Sequence, residues 1–498
     1  MYVSVRMNDD SILIMGAGPA GLSAGYELFR QGRRSILLDA DSQVGGLSKT
    51  LSYKRFLFDI GGHRFFTKVS LVEDMWWEVL GDDFLTCQRL SRIYYSQAFF
   101  NYPLKLPNVI AGLGLLKTAR CALSYFHSRI RPIFPELDFE TWVSNRFGRR
   151  LFEIFFRTYT EKVWGMKCTE ISADWAAQRI QSLSLGAILK NMLSLPGKKP
   201  GPVAKTLIET FHYPRLGPGL MWERTAQIIQ SAGSQVLLET PVDQIFHENS
   251  RITSVSAGTR VFKASNYISS IPLRTLVERM SPAVPAHVLQ ASQQLRYRDY
   301  LAVCLICNGT KLFPDNWIYI HEPSVHVGRI QNYGNWSAGM VPDPSKSCLG
   351  LEYFCFEGDD LWNMPDSELL GLAAKEVSQL GLVKEADIED GTVLRVSKAY
   401  PVYDATYQHA VAVIRDYIGS IQNLQVVGRN GMHRYNNQDH SMLTGILAAR
   451  NVLGAKYDLW KVNADQEYHE AGEGLTDEDI RRFNFSQPLV PKKLSNKS

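Results

Sequence analysis

The sequence has few cysteines, and none of them is spaced for a metal. Its seven cysteines are an odd number, scattered through apolar segments, which is typical of reduced and buried thiols. Cys304 and Cys307 are separated by two residues, but they lie in a strand-like run, where alternation places the two sulfurs on opposite faces. The sequence therefore favours neither a disulfide scaffold nor a metal site.

The sequence also lacks a long apolar run and an excess of charge of one sign. No segment approaches the roughly 18 apolar residues of a spanning helix, and the first ten residues contain no apolar signal-peptide core. We therefore expect a cytoplasmic protein. The net charge of +4 over 498 residues is small and dispersed, so it does not favour a nucleic-acid partner. It is compatible with an anionic small-molecule substrate.

A glycine triplet near the N-terminus is the most informative feature that is present. Gly16, Gly18 and Gly21 separate a short apolar run from a helix-like stretch, and a second apolar run then ends at Asp39. In this strand, turn, helix and strand context, the first glycine permits a tight turn and the second lets backbone approach a pyrophosphate. The third lets helix and strand pack closely, and the acid can accept a bond from a ribose hydroxyl. The pattern predicts a dinucleotide site.

Further glycines favour FAD over NAD as the resident cofactor. Two pairs, Gly45-Gly46 and Gly61-Gly62, follow the acid, although a mobile surface loop is an alternative interpretation of them. Near the C-terminus a short strand, a turn over 428–431 and a helix over 439–453 are predicted. We assign cofactor contacts to these glycine pairs and to further positions in the returning segments, namely Val242, Gly428, Asp439, Ser441 and Met442. Asp439 is the N-cap candidate of the last helix.

The order of patterns predicts an α/β fold in which a Rossmann-like FAD-binding domain of the glutathione-reductase type is interrupted twice. One interruption is mainly helical, and its clearest helix begins at Asp138 and continues through Phe155. The other is a β-sheet substrate domain. The expected boundaries are FAD-binding segments 1–69, 209–273 and 401–455, a helical insertion 70–208, a substrate sheet 274–400 and a C-terminal extension 456–498.

Several motifs, in order along the chain, resemble the flavin-dependent UDP-galactopyranose mutases, within the larger group of amine oxidases and protoporphyrinogen oxidases. The resemblance covers most of residues 10–455. Its motifs are Gly61-Gly62-His63, Tyr102-Pro103, Phe156-Arg-Thr-Tyr-Thr-Glu-Lys-Val-Trp-Gly165, Tyr213-Pro214, Tyr319 ten residues before Arg329, Tyr400-Pro-Val402, Gly428-Arg429 with Arg434-Tyr435, and Asn437-Gln-Asp-His-Ser441.

This resemblance implies roles for individual residues. Arg329 and Arg429 would clamp a substrate diphosphate, Arg179 would belong to a mobile lid, and His63 would face the flavin. Trp164 and Tyr159 would contact the nucleotide base, and Asn437 would lie near the sugar. Phenols would complete the substrate site, from Tyr102, Tyr159, Tyr319, Tyr400 and Tyr435. Taken singly, the arginines are equally typical of structural ion pairs, and a tryptophan is more typical of a core.

The resemblance implies a nucleotide-sugar pyranose/furanose mutase acting in cell-surface polysaccharide or glycoconjugate biosynthesis. In that family N5 of reduced FAD attacks the anomeric carbon and carries the sugar while the ring opens and recloses; NAD(P)H is a possible external reductant. An FAD oxidoreductase that takes a hydride from a small or lipid-linked substrate is the alternative, and a non-catalytic flavoprotein is a more distant one.

One segment fits none of these roles. Residues 107–127 are apolar and are followed by Arg129 and Arg131, so they could touch a membrane surface or a lipid-linked sugar. A buried helical hairpin is the interpretation that the pattern favours.

Overall fold

Two kinds of apolar pattern organise the chain. Short unbroken runs form buried parallel strands, and longer alternating runs form antiparallel strands with two different faces. The computed structural model describes residues 3–5, 11–102, 104–173, 210–310 and 312–463. All strands and helices named below lie within these residues.

The strands belong to five sheets. In chain order they are β1 (Val3–Val5), β2 (Ile12–Met15), β3 (Ser35–Leu38), β4 (Thr50–Tyr53), β5 (Phe56–Asp59), β6 (Phe84–Gln88), β7 (Ser91–Tyr95), β8 (Ala98–Asn101), β9 (Thr210–Pro214), β10 (Gln235–Leu237), β11 (Gln244–Glu248), β12 (Arg251–Ala257), β13 (Arg260–Phe262), β14 (Asn266–Ser269), β15 (Met280–Ser281), β16 (Tyr297–Asn308), β17 (Trp317–Ile320), β18 (Arg329–Asn332), β19 (Lys346–Cys355), β20 (Ile388–Pro401) and β21 (Leu424–Val426).

The helices cover the sheets and build the insertion. In chain order they are α1 (Pro19–Arg30), α2 (Ser70–Leu80), α3 (Leu106–Leu113), α4 (Leu115–Ile130), α5 (Phe139–Phe147), α6 (Arg149–Phe152), α7 (Thr158–Trp164), α8 (Gly219–Ser231), α9 (Leu273–Glu278), α10 (Ala286–Gln294), α11 (Asp360–Asn363), α12 (Asp366–Gln379), α13 (Tyr407–Gly419), α14 (Gly428–Gly431) and α15 (Gln438–Val452).

The nucleotide-binding sheet has the order β10-β3-β2-β14-β21, and all of its neighbouring strands are parallel. Strand β2 is buried along its whole length, as expected for a parallel sheet that is covered on both faces. Helix α1 follows β2 and packs closely against α15, where a Cβ on Gly445 would lie 2.0 Å from the carbonyl oxygen of Ala20. The two ends of the chain therefore form one unit.

The substrate sheet has seven strands in the order β20-β16-β19-β18-β17-β7-β8. Its long central strand β16 alternates between two cores, and Cys304 and Cys307 lie in different ones, as the sequence predicts. Strands β7 and β8 come from 70–208, the segment expected to be mainly helical. Their two-residue turn is Ser96-Gln97, both with positive φ. Turns of this kind usually contain asparagine, aspartate or glycine, so the hairpin carries no turn signal in the sequence.

The helix expected from Asp138 to Phe155 begins as predicted and then breaks. The Asp138 carboxylate accepts a hydrogen bond of 2.7 Å from the Thr141 amide and caps α5. Gly148, with φ of +85°, ends that helix where a Cβ would lie 2.6 Å from the Tyr125 amide nitrogen. The chain continues through α6, a π-helical turn and α7. The break redirects the chain so that α7 approaches the substrate sheet.

The expectation of a buried helical hairpin over 107–127 is wrong. In α3 and α4 the buried side chains are only those of Val109, Leu113 and Cys121. Among the described residues, no single helix is long and apolar enough to cross a membrane; α3 and α4 meet that requirement only as a pair, bent by 119°.

Candidate functional site

The glycine turn after β2 has the geometry of a phosphate cradle. Gly16 has φ of +110°, and a Cβ on Gly21 would lie 1.9 Å from the Gly16 carbonyl oxygen, so both positions require glycine. Gly18 differs, because a Cβ there would meet only backbone of Gly46 at 3.7 Å, an ordinary contact. Protein packing does not exclude a side chain at Gly18, whereas close approach of a pyrophosphate would.

Asp39 and the glycine pair Gly45-Gly46 support this turn. The Asp39 carboxylate accepts hydrogen bonds from the amides of Ala17 at 2.5 Å and Asp41 at 2.9 Å. Burial raises its pKa above the ordinary value. Gly45, with φ of +104°, donates its amide to the Ala17 carbonyl at 2.9 Å. The glycine-rich segment after Asp39 is therefore packed against the first turn and is no mobile surface loop.

The C-terminal segments pack against the same region, and their local structure differs from the sequence prediction. Residues 428–431, predicted as a turn, form the short helix α14, and Gly428 has φ of +82°. The residue that precedes α15 is Asn437, whose amide donates to His440 Nδ1 at 3.1 Å, so the prediction of Asp439 as the N-cap is wrong. A capping residue must have non-helical dihedrals, and Asn437 has them.

The remaining expected cofactor positions are buried near this region. The sulfur of Met442 accepts a bond of 3.0 Å from the Trp76 indole, so this side chain belongs to the core. Ser441 donates its amide to Asn437 in the first turn of α15. The Val242 carbonyl accepts a hydrogen bond from Arg279. Contacts of these three residues with a cofactor would therefore come from backbone groups or from the Ser441 hydroxyl.

His63 lies on the loop after β5, between the nucleotide turn and the substrate sheet. Gly61 has φ of +82°, and a Cβ on Gly62 would lie 2.7 Å from Gln331 Nε2, so the loop lies directly on β18. The Nε2 of His63 is 2.6 Å from the Ile60 carbonyl. Burial lowers the pKa of His63 to about 4, and the charges of Arg429 and Arg329 add to this effect. The imidazole is neutral at pH 7.

Arg329 is held by a buried carboxylate. Strands β17 and β18 place it directly opposite Tyr319, and β19 places Glu352 beside it. Its Nε lies 2.8 Å from Glu352 Oε1 and its Nη2 lies 2.6 Å from Oε2, a bidentate pair in which the carboxylate side chain is 1% exposed. Although burial opposes it, this pairing raises the pKa of Arg329. Both interpretations of Arg329, as a site residue and as a structural ion pair, are thus compatible with its position.

Arg429 differs from Arg329, because its bonded partners are carbonyl oxygens. It donates to Asn436 at 2.8 Å and to Ala399 at 3.1 Å, and its guanidinium lies 5.2 and 5.1 Å from the ring centres of Tyr400 and Tyr435. In the part of the chain that the structure describes, no carboxylate lies within 4.0 Å of it. Its positive charge is therefore not neutralised by an ion pair there.

The sequence-predicted phenols and the indole form two groups of aromatic rings in contact. Tyr400 and Tyr435 are stacked with ring centres 5.6 Å apart, and Trp164 lies 6.4 and 6.2 Å from them. On the other side, Tyr319 contacts Tyr159 at 5.4 Å and Tyr102 at 5.5 Å. Trp164 is 2% exposed and packs in a core cluster with both stacked rings. The structure therefore brings these six residues, His63 and both arginines together, whereas Arg179 lies outside the described residues.

Sequence analysis missed further members of the site. Glu352 carried a weak signal as a charged residue in an apolar strand. Arg64, which is exposed, and Arg89, which is half-buried, carried no signal because neither lies in a motif. Although burial raises the pKa of Tyr319, the charges of Arg329, Arg64 and Arg89 lower it overall. Arg298 is buried and donates to the carbonyls of Lys162 and Val163 at the end of α7, at 3.3 and 3.0 Å. It fixes the helix that carries Tyr159 and Trp164.

The described residues contain no group of three or more histidine, cysteine, aspartate and glutamate side chains that could hold a metal ion. A flavin dinucleotide, in contrast, fits what is present. The cradle at Gly18 would be filled by a Cβ, and α1 begins directly after it. These residues would hold the diphosphate.

Comparisons with known proteins agree with this interpretation. The model of the flavin containing amine oxidoreductase family matches residues 134–453, and that of the NAD(P)-binding Rossmann-like domain matches residues 14–79. Among solved structures, reduced UDP-galactopyranose mutase is similar, with a TM-score of 0.80 and 22% identity, over 94% of this chain and 100% of that chain. Cyclohexylamine oxidase from Brevibacterium oxydans has a TM-score of 0.63 and 15% identity, over 89% and 98%. Identities this low establish the fold alone.

Curated relatives match over a short segment. The inactive all-trans-retinol 13,14-reductase of Danio rerio is 39% identical over 61 residues, which are 12% of this chain and 10% of that protein. Ferredoxin–NADP reductase of Granulibacter bethesdensis is 41% identical over 58 residues, 12% and 17% respectively. These segments cover less than a fifth of either relative.

The predicted fold class and the FAD cofactor are confirmed by the family match and by the similar solved structures. The match to the family model spans well over half of the 498 residues. The chain is a flavin-dependent enzyme and belongs to the flavin containing amine oxidoreductase family.

Proposed function

We propose that this protein is a nucleotide-sugar mutase that converts a nucleotide-linked pyranose, in the first instance UDP-galactopyranose, into its furanose form. The observation that carries the proposal is the convergence of Arg329 and Arg429. Both charges act on the same two side chains: they lower the pKa of His63, and they oppose the rise that burial causes in the pKa of Tyr400. Two guanidinium forks at one cleft suit a diphosphate, because each offers charge-assisted, bidentate bonds.

The charge balance of the cleft favours an anionic substrate over a cationic one. Glu352 compensates Arg329, whereas the bonded partners of Arg429 are neutral carbonyls. Arg64 and Arg89 add positive charge on the Tyr319 side. A protonated amine, which is the substrate type of an amine oxidase, would be repelled here, while a nucleoside diphosphate would be attracted.

The neutral side chains of the site would bind the substrate and the cofactor without adding charge. Burial raises the pKa values of Tyr159 and Tyr400, so both phenols stay protonated and can donate to phosphate oxygens. Trp164 and Tyr159 offer flat apolar surfaces to a base. When it is bound and reduced, the flavin would supply the nucleophile for the anomeric carbon. His63, neutral and with its Nε2–H donated to the Ile60 carbonyl, can accept a hydrogen bond at Nδ1 from the cofactor without adding charge.

The experiment is an anaerobic assay of the purified flavoprotein. The protein is reduced with dithionite, UDP-galactopyranose is added, and ring-contracted product is measured by chromatography, with other nucleotide sugars tested in parallel. We expect product from reduced enzyme and none from oxidised enzyme. Arg429→Ala should raise the KM for the nucleotide sugar strongly, whereas Arg415→Ala, which alters an exposed ion pair with Asp458, is the matched control. Absence of product with every sugar in the panel refutes the proposal.

An oxidoreductase is the second candidate, and the matched family model favours it. In that case the flavin would accept a hydride from a carbon–hydrogen bond of a small or lipid-linked substrate. The two candidates differ in one readout. An oxidoreductase substrate would bleach the oxidised flavin and consume an acceptor such as oxygen, whereas a mutase substrate would leave the redox state unchanged after turnover.

A further inference from the structure

Helix α4 has its apolar face turned outward. The side chains that face the protein are small or polar, with Cys121 the only buried one: Thr118, Cys121, Ser124, Tyr125 and Ser128. At about 100° per residue, the outward residues fall in a single stripe. With the loop that follows, this stripe exposes eight large apolar side chains, each 59% to 77% exposed: Leu115, Leu116, Leu123, Phe126, Ile130, Ile133, Phe134 and Leu137. We call these eight residues the α4 patch.

The α4 patch is unusual for a free protein surface. Monomeric proteins rarely expose contiguous apolar patches larger than a few hundred Å². The patch is also held firmly, since α3 carries Val109 and Leu113 into a core beside Phe100, and a Cβ on Gly112 would lie 2.5 Å from that phenylalanine ring. The outward orientation of α4 therefore follows from how the preceding helix is anchored.

Positive charge surrounds the α4 patch. Residues 115–137, which span the patch, contain four arginines and lysines and one carboxylate, Glu136, so this stretch has a net charge of +3. By helical spacing, Arg120 and Arg131 flank one side of the stripe and Arg129 the other. Arg149 and Arg150 lie beside α4 and share Glu153 as their partner.

We propose that the α4 patch docks on the surface of an anionic lipid bilayer. An apolar stripe bordered by arginine and lysine matches such a surface in both respects, because the apolar side chains enter the acyl boundary and the cations meet the lipid phosphates. A second copy of this chain fits less well. A two-fold interface would place the same positive charges against each other. The bent α3–α4 pair then lies in the interface without crossing the membrane.

The test is vesicle flotation of the full-length flavoprotein. Vesicles of phosphatidylcholine are compared with vesicles containing about 30% phosphatidylglycerol. We expect binding to the anionic vesicles, much weaker binding to neutral ones, and a loss at about 0.5 M salt that is partial, because burial of apolar groups is not screened. The exposed double variant Leu123→Asp/Phe126→Asp should lower the bound fraction at least about tenfold.

Leu216→Asp is the control variant, since Leu216 is 41% exposed and lies outside the α4 patch. It should bind vesicles as the wild type does. The proposal is overturned if the wild type remains with the soluble fraction for both vesicle types, or if the double variant and Leu216→Asp behave alike. Sedimentation analysis tests the other occupant, a second copy of this chain. A wild-type dimer that becomes monomeric in the double variant, without vesicle binding, would assign the patch to self-association instead.

Discussion

Replacing Glu352 by glutamine should make the protein less stable and, at the same time, make it bind UDP more tightly. The wild-type carboxylate bonds to Arg329 at 2.8 and 2.6 Å and accepts from Gln331 Nε2 at 2.7 Å. Glutamine keeps the shape of the side chain but removes its charge. Arg329 then remains mostly buried, with 17% of its side chain exposed, and has lost the carboxylate that neutralises it.

The size of both effects follows from this geometry. Removing one partner of a buried ion pair costs about 3–5 kcal/mol of folding free energy. An anion near Arg329 meets a neutral pair in the wild type but a full positive charge in Glu352→Gln. Two unit charges 4 Å apart interact by about 4 kcal/mol at an effective dielectric constant near 20. If a diphosphate oxygen recovers about a third of this energy, the affinity for UDP rises about tenfold.

Isothermal titration and thermal unfolding measure the two effects. UDP should bind to Glu352→Gln about tenfold more tightly than to wild type and should raise its Tm by more. The control is Glu376→Gln, which alters another buried carboxylate of the molecule, one that bonds to the Tyr353 hydroxyl and to amides of 326 and 327. It should lose stability without gaining affinity. Equal or weaker UDP binding by Glu352→Gln would refute the placement of the diphosphate beside Arg329.

Three further predictions concern the glycine turn after β2, the buried carboxyl of Asp59 and helix α7. Gly21→Ala places a Cβ 1.9 Å from the Gly16 carbonyl oxygen and should abolish flavin absorbance in the purified protein, whereas Gly371→Ala, with open space around it, should retain it. Burial raises the pKa of Asp59 from 3.8 to about 7, so the folded state loses stability as pH rises from the first value to the second; Asp59→Asn should lose less in urea unfolding between about pH 4 and pH 8. Arg298→Met frees the end of α7 and should weaken UDP binding measured by titration; an unchanged affinity would contradict its positioning role.

The nucleotide-binding half could be predicted closely from the sequence because its signals are local. The turn at Gly16 and Gly21 needs glycine for reasons that lie within a few residues, and the strands around it are unbroken apolar runs. The insertion could be predicted less well. The break at Gly148 depends on contact with α4, an element that no pattern around Gly148 indicates, and a π-helical turn at 153–157 follows it. The hairpin of β7 and β8 lacks a glycine or asparagine turn.

The site itself divides in the same way. Motif order placed Arg329, Tyr319 and Arg429 near each other, and the sheet register brings the first two into direct opposition. The motifs could not indicate that a carboxylate neutralises the charge of Arg329. Glu352 reaches Arg329 through strand pairing across 23 positions of sequence, a distance over which no local pattern extends. The net charge of a site is therefore less predictable from sequence than the identity of the residues that form it.

The positions of the two cations relative to the glycine cradle restrict what chemistry this site can support. Arg429 directly follows Gly428, which has φ of +82°. A Cβ placed on Gly428 would lie 3.1 Å from the Cβ of Ala20 in α1. Arg329 Nη2 would lie 3.6 Å from a Cβ on Gly61. Arg429 thus belongs to a backbone segment that would line the flavin, and Arg329, on β18, lies beside another such segment. Under the proposed function, a substrate anion bound between them would lie beside the cofactor, with its reacting carbon close to that anion, as the anomeric carbon of a nucleotide sugar is.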